Sequence, residues 1–425
     1  MSPIVHTPES AVRVVLAAAG TRGDVAPMAS LAARLVDAGH SPVVVTHASL
    51  AGLVPAPIEV VPVDSDPASL LAGPAGEAAR RRNPLALDRA RQIFADFVES
   101  FATPARQALR GADLLVASTF ALAAVDEART VGVPVVRAHQ GPDGPDPDGP
   151  MAMVPYAWRL PGGLRRPALR AVRGLEPCLG GFDGWWERGR LHVVPHLRVG
   201  LTTATLGTLQ AYSPLLDLSA VSPDPTVLAT GWWRAPDGGR LSAAAERVLA
   251  SGDRWIYVGF GSMPQRSPES VVDATAAACW NLGVRALVQL PEAPSDTGGD
   301  VVRIDAEPHA ALFPRLSAVV HHGGSGTTGA STAAGVPAVV VPHFADQFYW
   351  AHRLHALGVA AAPLPHRAWS TRRLTARLAQ ALDPSMRARA GHLGSAVRAE
   401  DGTGAAVAHL ERLMAGRDAP HRRPA

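Results

Sequence analysis

Residues 317–350 read SAVVHHGGSGTTGASTAAGVPAVVVPHFADQFYW. An apolar run at 318–320 ends in two histidines and a glycine-rich turn; a helix-competent stretch, 327–334, follows, then a second apolar run, 338–341. This order predicts a strand–turn–helix–strand unit. Glycines in such a turn let the backbone approach a ligand closely, and the helix start offers unpaired N–H groups and the positive end of its dipole to an anion. A diphosphate is the simplest such anion. His322 adds a donor to it, and Thr327 and Thr328 supply hydroxyls. Asp346-Gln347 then opens another helical stretch and presents an acceptor and an amide, a pair suited to sugar hydroxyls.

The same alternation extends in both directions. A strand at 12–18 precedes a helix at about 26–38, stopped by Gly39-His40, and strands follow at 42–46, 113–117 and 133–138. The second half repeats this with a strand at 255–259, a helix at 268–282, strands at 284–289 and 301–304, and then the quoted unit. Strands alternating with helices predict an α/β protein with two Rossmann-like, doubly wound parallel sheets facing across a cleft, ligands gathering at the carboxyl ends of the strands. The division falls near 219–225, where two prolines flank Asp224. It gives an N-terminal domain over 1–218, a C-terminal domain over 219–415, and a disordered tail over 416–425. Residues 142–150 spell a stiff, turn-rich loop.

Composition narrows the class. The 425 residues are 47% hydrophobic and 18% charged, as in a well-cored globular protein. The apolar stretches fall short of the ~20 residues a membrane span needs. The net charge of +3 does not suggest a nucleic-acid partner, and every basic residue apart from histidine is arginine. The two cysteines, Cys178 and Cys279, give neither a disulfide framework nor metal-ligand spacing, so a cytoplasmic location is expected. Length and charge leave a monomer or a homodimer open.

The 317–350 stretch resembles the donor-binding signature of family 1 glycosyltransferases, which have the two-domain GT-B fold. It is most similar to the sterol-glucosyltransferase and bacterial antibiotic-glycosyltransferase branch, where His-His-Gly-Gly-x-Gly-Thr-Thr and Asp-Gln recur. Further motifs follow in the branch's order: Gly20-Thr21-Arg22-Gly23-Asp24 in the N-terminal loop, Thr230-Gly231-Trp232-Trp233 at the domain join, Tyr257-Val258-Gly259-Phe260-Gly261-Ser262-Met263, and Glu307-Pro308-His309. The resemblance implies an inverting transfer by one in-line displacement from an α-linked nucleotide sugar. It places the donor mainly on the C-terminal domain and the acceptor mainly on the N-terminal one.

Transfer of this kind needs a base for the acceptor hydroxyl and donors for the departing diphosphate. Asp24 is the candidate base, past the carboxyl end of the first strand; its ordinary pKa near 3.9 is low for the task, and an Asp here equally fits the N-cap of the next helix. His139, at the end of another strand, is the reserve. The diphosphate falls to His322, Gly323, Gly324, Ser325, Gly326, Thr327 and Ser262, with Arg22 reaching over from the other domain. Adjacent His321 cannot face the same way as His322 on an extended chain and is assigned to structure. His309 is expected to shape the base pocket; plant members of the family have a stacking Trp where this chain has Ala306, so no preference for UDP carries over. Asp346 and Gln347 are assigned to the sugar, although Asp346 also fits a helix N-cap. Phe94, His139, Trp158 and Trp185 are the expected acceptor-pocket residues.

The segment from Gly324 to Gly329 also fits the G-x-G-x-x-G dinucleotide fingerprint, but that motif normally opens the first unit of its domain. Asp64-Ser65-Asp66 and Asp146-Pro147-Asp148 spell a metal–diphosphate signature of another fold, away from the glycine-rich turn. The expectation is therefore a metal-independent glycosyltransferase with no cofactor. It would use a UDP- or dTDP-sugar and a hydrophobic acceptor, an antibiotic-like aglycone first and a sterol second. A nucleotide-sugar epimerase of the same fold and a catalytically inactive donor-binding protein are the rivals.

Overall fold

The computed structural model describes residues 11–67, 93, 95–141, 205–216, 224–234, 239–263, 265, 267–290, 299–343 and 346–418. Its first sheet holds β1 (Arg13–Ala18), β2 (Ser41–His47), β3 (Glu59–Val63), β4 (Leu114–Ser118), β5 (Val135–His139), β6 (Gly207–Gln210) and β7 (Val227–Ala229) in the order β3-β2-β1-β4-β5-β6-β7. The second holds β8 (Trp255–Gly259), β9 (Arg285–Gln289), β10 (Val301–Arg303), β11 (Ala318–His321) and β12 (Ala338–Val340) in the order β10-β9-β8-β11-β12. Every strand pair is parallel. The residues of β1 from Val14 to Ala18 are fully buried. Such continuous apolar runs are what a sheet covered on both faces demands.

The helices are α1 (Arg22–Asp37), α2 (Ala102–Ala108), α3 (Leu122–Thr130), α4 (Ala243–Leu249), α5 (Pro268–Leu282), α6 (His309–Leu312), α7 (Ser325–Ala334), α8 (Gln347–Ala356), α9 (Thr371–Ala381), α10 (Pro384–Arg398) and α11 (Gly402–Asp418). In each sheet the order reverses beside the first strand, between β1 and β4 and between β8 and β11. Parallel sheets leave a crevice at such a switch point, where ligands settle. Each sheet therefore directs one crevice, and the loops that line it, to its carboxyl edge.

Two pieces that the sequence reading assigns to the second domain lie on the first. β7 hydrogen-bonds to β6 in the first sheet. α11 buries Ala406, Val407 and Leu410 among Val14, Leu16, Met28 and Leu31 of the N-terminal core. Arg34 pairs with Asp401 at 3.0 Å and buried His40 with Glu411 at 3.3 Å across this contact. The apolar stripe of α11 thus completes the first domain, although it follows the second along the chain. The helix also runs to Asp418, through the first residues of the expected tail; residues 419–425 lie outside the described part. The chain crosses between domains twice. At the first crossing Trp233 Nε1 donates to Thr230 Oγ1 at 2.8 Å, and at the second Ser213 Oγ donates to Glu400 Oε1 at 2.7 Å. Among the described residues no helix is long and apolar enough to cross a membrane.

Candidate functional site

At the second switch point, β11 ends in His321 and the chain folds back through Gly323, whose φ of 88° suits glycine. The Gly323 N–H donates to His321 Nδ1 at 3.1 Å, so fully buried His321 shapes the turn. His322 turns the other way. Its ring lies between Gly324, where a Cβ would sit 2.4 Å from Nε2, and Gly261, where one would sit 3.1 Å from Cε1. Each glycine leaves the room that the ring occupies. His322 Nδ1 and Thr328 Oγ1 are buried without a hydrogen-bond partner.

The turn runs into α7, whose N-cap position is Gly324 with no side-chain cap. The first N–H groups of that helix are consequently uncapped, and they open beside His322. Burial, and then the neighbouring His309, push the His322 pKa down to about 4. Burial followed by the Arg22 guanidinium does the same to His309, also to about 4. His309 stacks on Phe313 with ring centres 4.3 Å apart, while Tyr257 meets it edge-on. Ser262 and Gly326 are exposed and Thr327 is half-buried. Neutral rings, an uncapped helix start and a nearby guanidinium are groups that suit a diphosphate.

Beyond β12, Asp346 occupies the N-cap position of α8 but makes no cap bond. Its Oδ2 instead accepts from Trp350 Nε1 at 3.0 Å and faces Gly141 of the first domain, where a Cβ would lie 3.2 Å away. Gln347 is buried; its Oε1 accepts the His343 N–H at 2.8 Å, and its Nε2 lies 3.5 Å from Met263 Sδ. The Gln347 amide therefore braces the loop after β12 against the loop after β8. Ser325 Oγ donates across the cleft to the Gln140 carbonyl. The carboxyl end of β5 and the start of α7 are thus in direct contact.

At the first switch point the helix expected from 26 begins at Arg22, because Thr21 caps it. Thr21 Oγ1 accepts the Gly23 N–H at 3.3 Å, and Asp24 Oδ2 accepts the Thr21 N–H at 2.8 Å, a reciprocal capping box. Asp24 is thus the third residue of the helix, not its N-cap; it is half-buried, and its Oδ2 lies against Thr21 and Gly20. The loop before it is held from both neighbouring strands. The Ala19 N–H donates to Ser118 Oγ at 2.9 Å, and the Gly20 N–H donates to His47 Nε2 at 3.0 Å. His139 ends β5, buried, with Nδ1 3.0 Å from Thr119 Oγ1.

The structure therefore gathers Arg22, His309, His322, Gly323, Gly324 and Ser325 at one crossing of the cleft, with Asp346 and Gln347 beside them and Asp24 in the first turn of α1. Phe94, Trp158 and Trp185 lie outside the described residues. The sequence reading missed His47, Ser118 and Gln140. One signal was present: β2, β5 and β11 each end in a histidine, at the edge where ligands bind.

Residues 286–413 match the family model of the erythromycin biosynthesis protein CIII-like C-terminal domain. The chain is 29% identical to a sterol 3-beta-glucosyltransferase of Neurospora crassa over 95% of its own length and 27% of that protein's. Against a sterol 3-beta-glucosyltransferase of Arabidopsis thaliana it is 27% identical, over 95% of this chain and 68% of the relative. The chain thus spans little more than a quarter of the fungal relative. Among solved structures, the kitacinnamycin glycotransferase superposes with a TM-score of 0.68 at 19% identity, covering 95% of this chain and 100% of the other. Glycosyltransferase VinC in complex with dTDP superposes with a TM-score of 0.64 at 20% identity, covering 95% of this chain and 100% of that one. The fold is that of the GT-B glycosyltransferases, and over 95% of its length the sequence is similar to the sterol 3-beta-glucosyltransferases. Within that class it is a homologue of the sterol 3-beta-glucosyltransferases with an erythromycin CIII-like C-terminal domain.

Proposed function

We propose that the chain transfers a sugar from a UDP- or dTDP-sugar to a hydrophobic small-molecule hydroxyl, with inversion and without a metal ion. The observation that carries this reading is the uncapped start of α7, where His322 Nδ1 and Thr328 Oγ1 are left buried and unpartnered. Buried polar atoms of this kind are normally satisfied, so a ligand rich in acceptors fits them. Arg22 and the N–H groups of α7 would hold the diphosphate, Asp346 the sugar, and Asp24 would take the proton from the attacking hydroxyl. Charge developing on the leaving diphosphate meets preorganised donors there, which lowers the barrier most where water is excluded. The dTDP complex of VinC supports the donor class, and the sterol relatives and the kitacinnamycin neighbour support an apolar acceptor, an antibiotic-like aglycone before a sterol. A cytoplasmic location accompanies this reading.

The test is a thermal-shift titration with UDP, dTDP, GDP and NAD, with and without Mg²⁺. A ligand bound only by the native state raises its melting temperature by mass action. Stabilisation by UDP or dTDP without metal is the expected result; stabilisation by NAD alone overturns the reading. Transfer abolished by a chelator and restored by Mn²⁺ would overturn the metal-free mechanism.

A further inference from the structure

His47 is the last residue of β2, has no exposed surface, and lies beside the loop that follows β1. Its Nε2 takes the Gly20 N–H, and its Nδ1 lies 3.0 Å from the Ser65 carbonyl oxygen and 2.9 Å from Ser65 Oγ. A carbonyl oxygen only accepts, so Nδ1 carries the proton and Nε2 presents a lone pair to Gly20. The two bonds fix one neutral tautomer. Burial keeps the ring below its ordinary pKa, against smaller opposing effects of the Ser65 carbonyl and Asp66. The ring stacks on Phe97 at 5.2 Å and meets Phe101 edge-on at 5.1 Å; Ser100 Oγ donates to Ser65 Oγ at 3.1 Å behind it. His47 is therefore locked on every side except the one that holds Gly20.

Gly20 in turn touches the carboxylate. Its φ is 133°, and a Cβ there would lie 2.3 Å from Asp24 Oδ2. Movement of this peptide moves the ground on which Asp24 rests.

We propose that His47 is a positioning residue: as a hydrogen-bond acceptor for the Gly20 amide it fixes the turn that aims Asp24 at the acceptor hydroxyl, a role that rests on the reading of Asp24 as the general base. Histidine suits the position because one ring both anchors to Ser65 and reaches Gly20. Asparagine matches only the Nδ1 position and glutamine only the Nε2 position, so the two substitutions separate the bonds.

In the test, H47N keeps the Ser65 contact and loses the acceptor for Gly20, H47Q keeps that acceptor, and H47F keeps the ring stack alone. UDP-glucose and dTDP-glucose serve as donors and cholesterol as the probe acceptor. A misplacement of about 1 Å at a reacting group costs roughly 100-fold in turnover, so H47N and H47F are expected to lose about that factor in kcat. Donor dissociation constants stay within about twofold and H47Q recovers most of the rate, a split that general destabilisation does not produce. In hydrogen exchange, amides of residues 19–25 open at least about tenfold more readily in H47N and return to wild-type protection in H47Q, while the rest of the domain is unchanged. Unchanged exchange in H47N overturns the clamp. Faster exchange with undiminished kcat overturns the positioning role. A wild type that transfers to no acceptor sinks the proposed function instead, and the exchange comparison then decides the claim on its own.

Discussion

Asp24 and His322 face each other's chemistry from opposite domains, and each has a single-residue consequence. Asp24→Asn keeps an acceptor for the Thr21 N–H, so the capping box and the loop survive while the proposed base is lost. Donor affinity measured by calorimetry should stay the same and turnover should fall at least about 100-fold; full activity would remove Asp24 from the mechanism. Gly324→Ala acts on His322 by volume alone, since the new methyl lands 2.4 Å from Nε2. Overpacking of this kind costs about 1–3 kcal/mol, so nucleotide binding should weaken about tenfold or more, and an unchanged affinity would separate the ring from the diphosphate. At this scale the sequence was informative where a residue's partners are near in the chain. His321 folding back on Gly323 and His322 facing away follow from the geometry of neighbouring residues. His47 escaped because its partners are Gly20, Ser65, Phe97 and Phe101, brought together only when β1, β2 and β3 align.

α1 owes its first turn to Thr21 rather than to its apolar stripe. Thr21→Ala removes the side-chain half of the capping box, and caps of this type contribute about 1 kcal/mol. Urea unfolding should register that loss, and a melting point unchanged within error would mean that the Asp24 half carries the helix start alone. The same element shows where sequence reading falls short. Apolar periodicity placed the helix from about 26, because periodicity reports the face that packs. The helix starts four residues earlier through hydrogen bonds made by Thr21 and Asp24, which periodicity does not see. β8 was legible to the residue, since an all-buried strand is one continuous apolar run. β6 and β7 were not, as Gly207–Gln210 and Val227–Ala229 are too short and too mixed to stand out before the sheet pairs them.

For the molecule as a whole, His309, His321 and His322 are a shared acid liability. Burial holds all three below 6.5, to about 4 for His309 and His322 and about 3 for His321. The unfolded chain takes up protons below pH 6.5 that the folded chain refuses. Their contribution to stability is complete above 6.5 and is lost as the pH falls through the folded values, by up to about 1.4 kcal/mol per pH unit for each ring. Melting temperature should therefore drop steadily between pH 6.5 and 4.5, and His322→Asn should flatten the slope; a profile level across that range would mean that these rings are not held neutral. The two-domain α/β plan was readable because each half repeats the strand–helix alternation. The double crossing was not, because nothing local marks α11 as belonging to the core of Val14, Leu16 and Met28. That crossing sets the rule for exchanging halves between relatives. A chimera joined once, near 230–234, would import a foreign last helix into the N-terminal core and mismatch His40 with its partner at 411. Recombination needs a second junction near 399–401, so that the final helix travels with the first domain it completes.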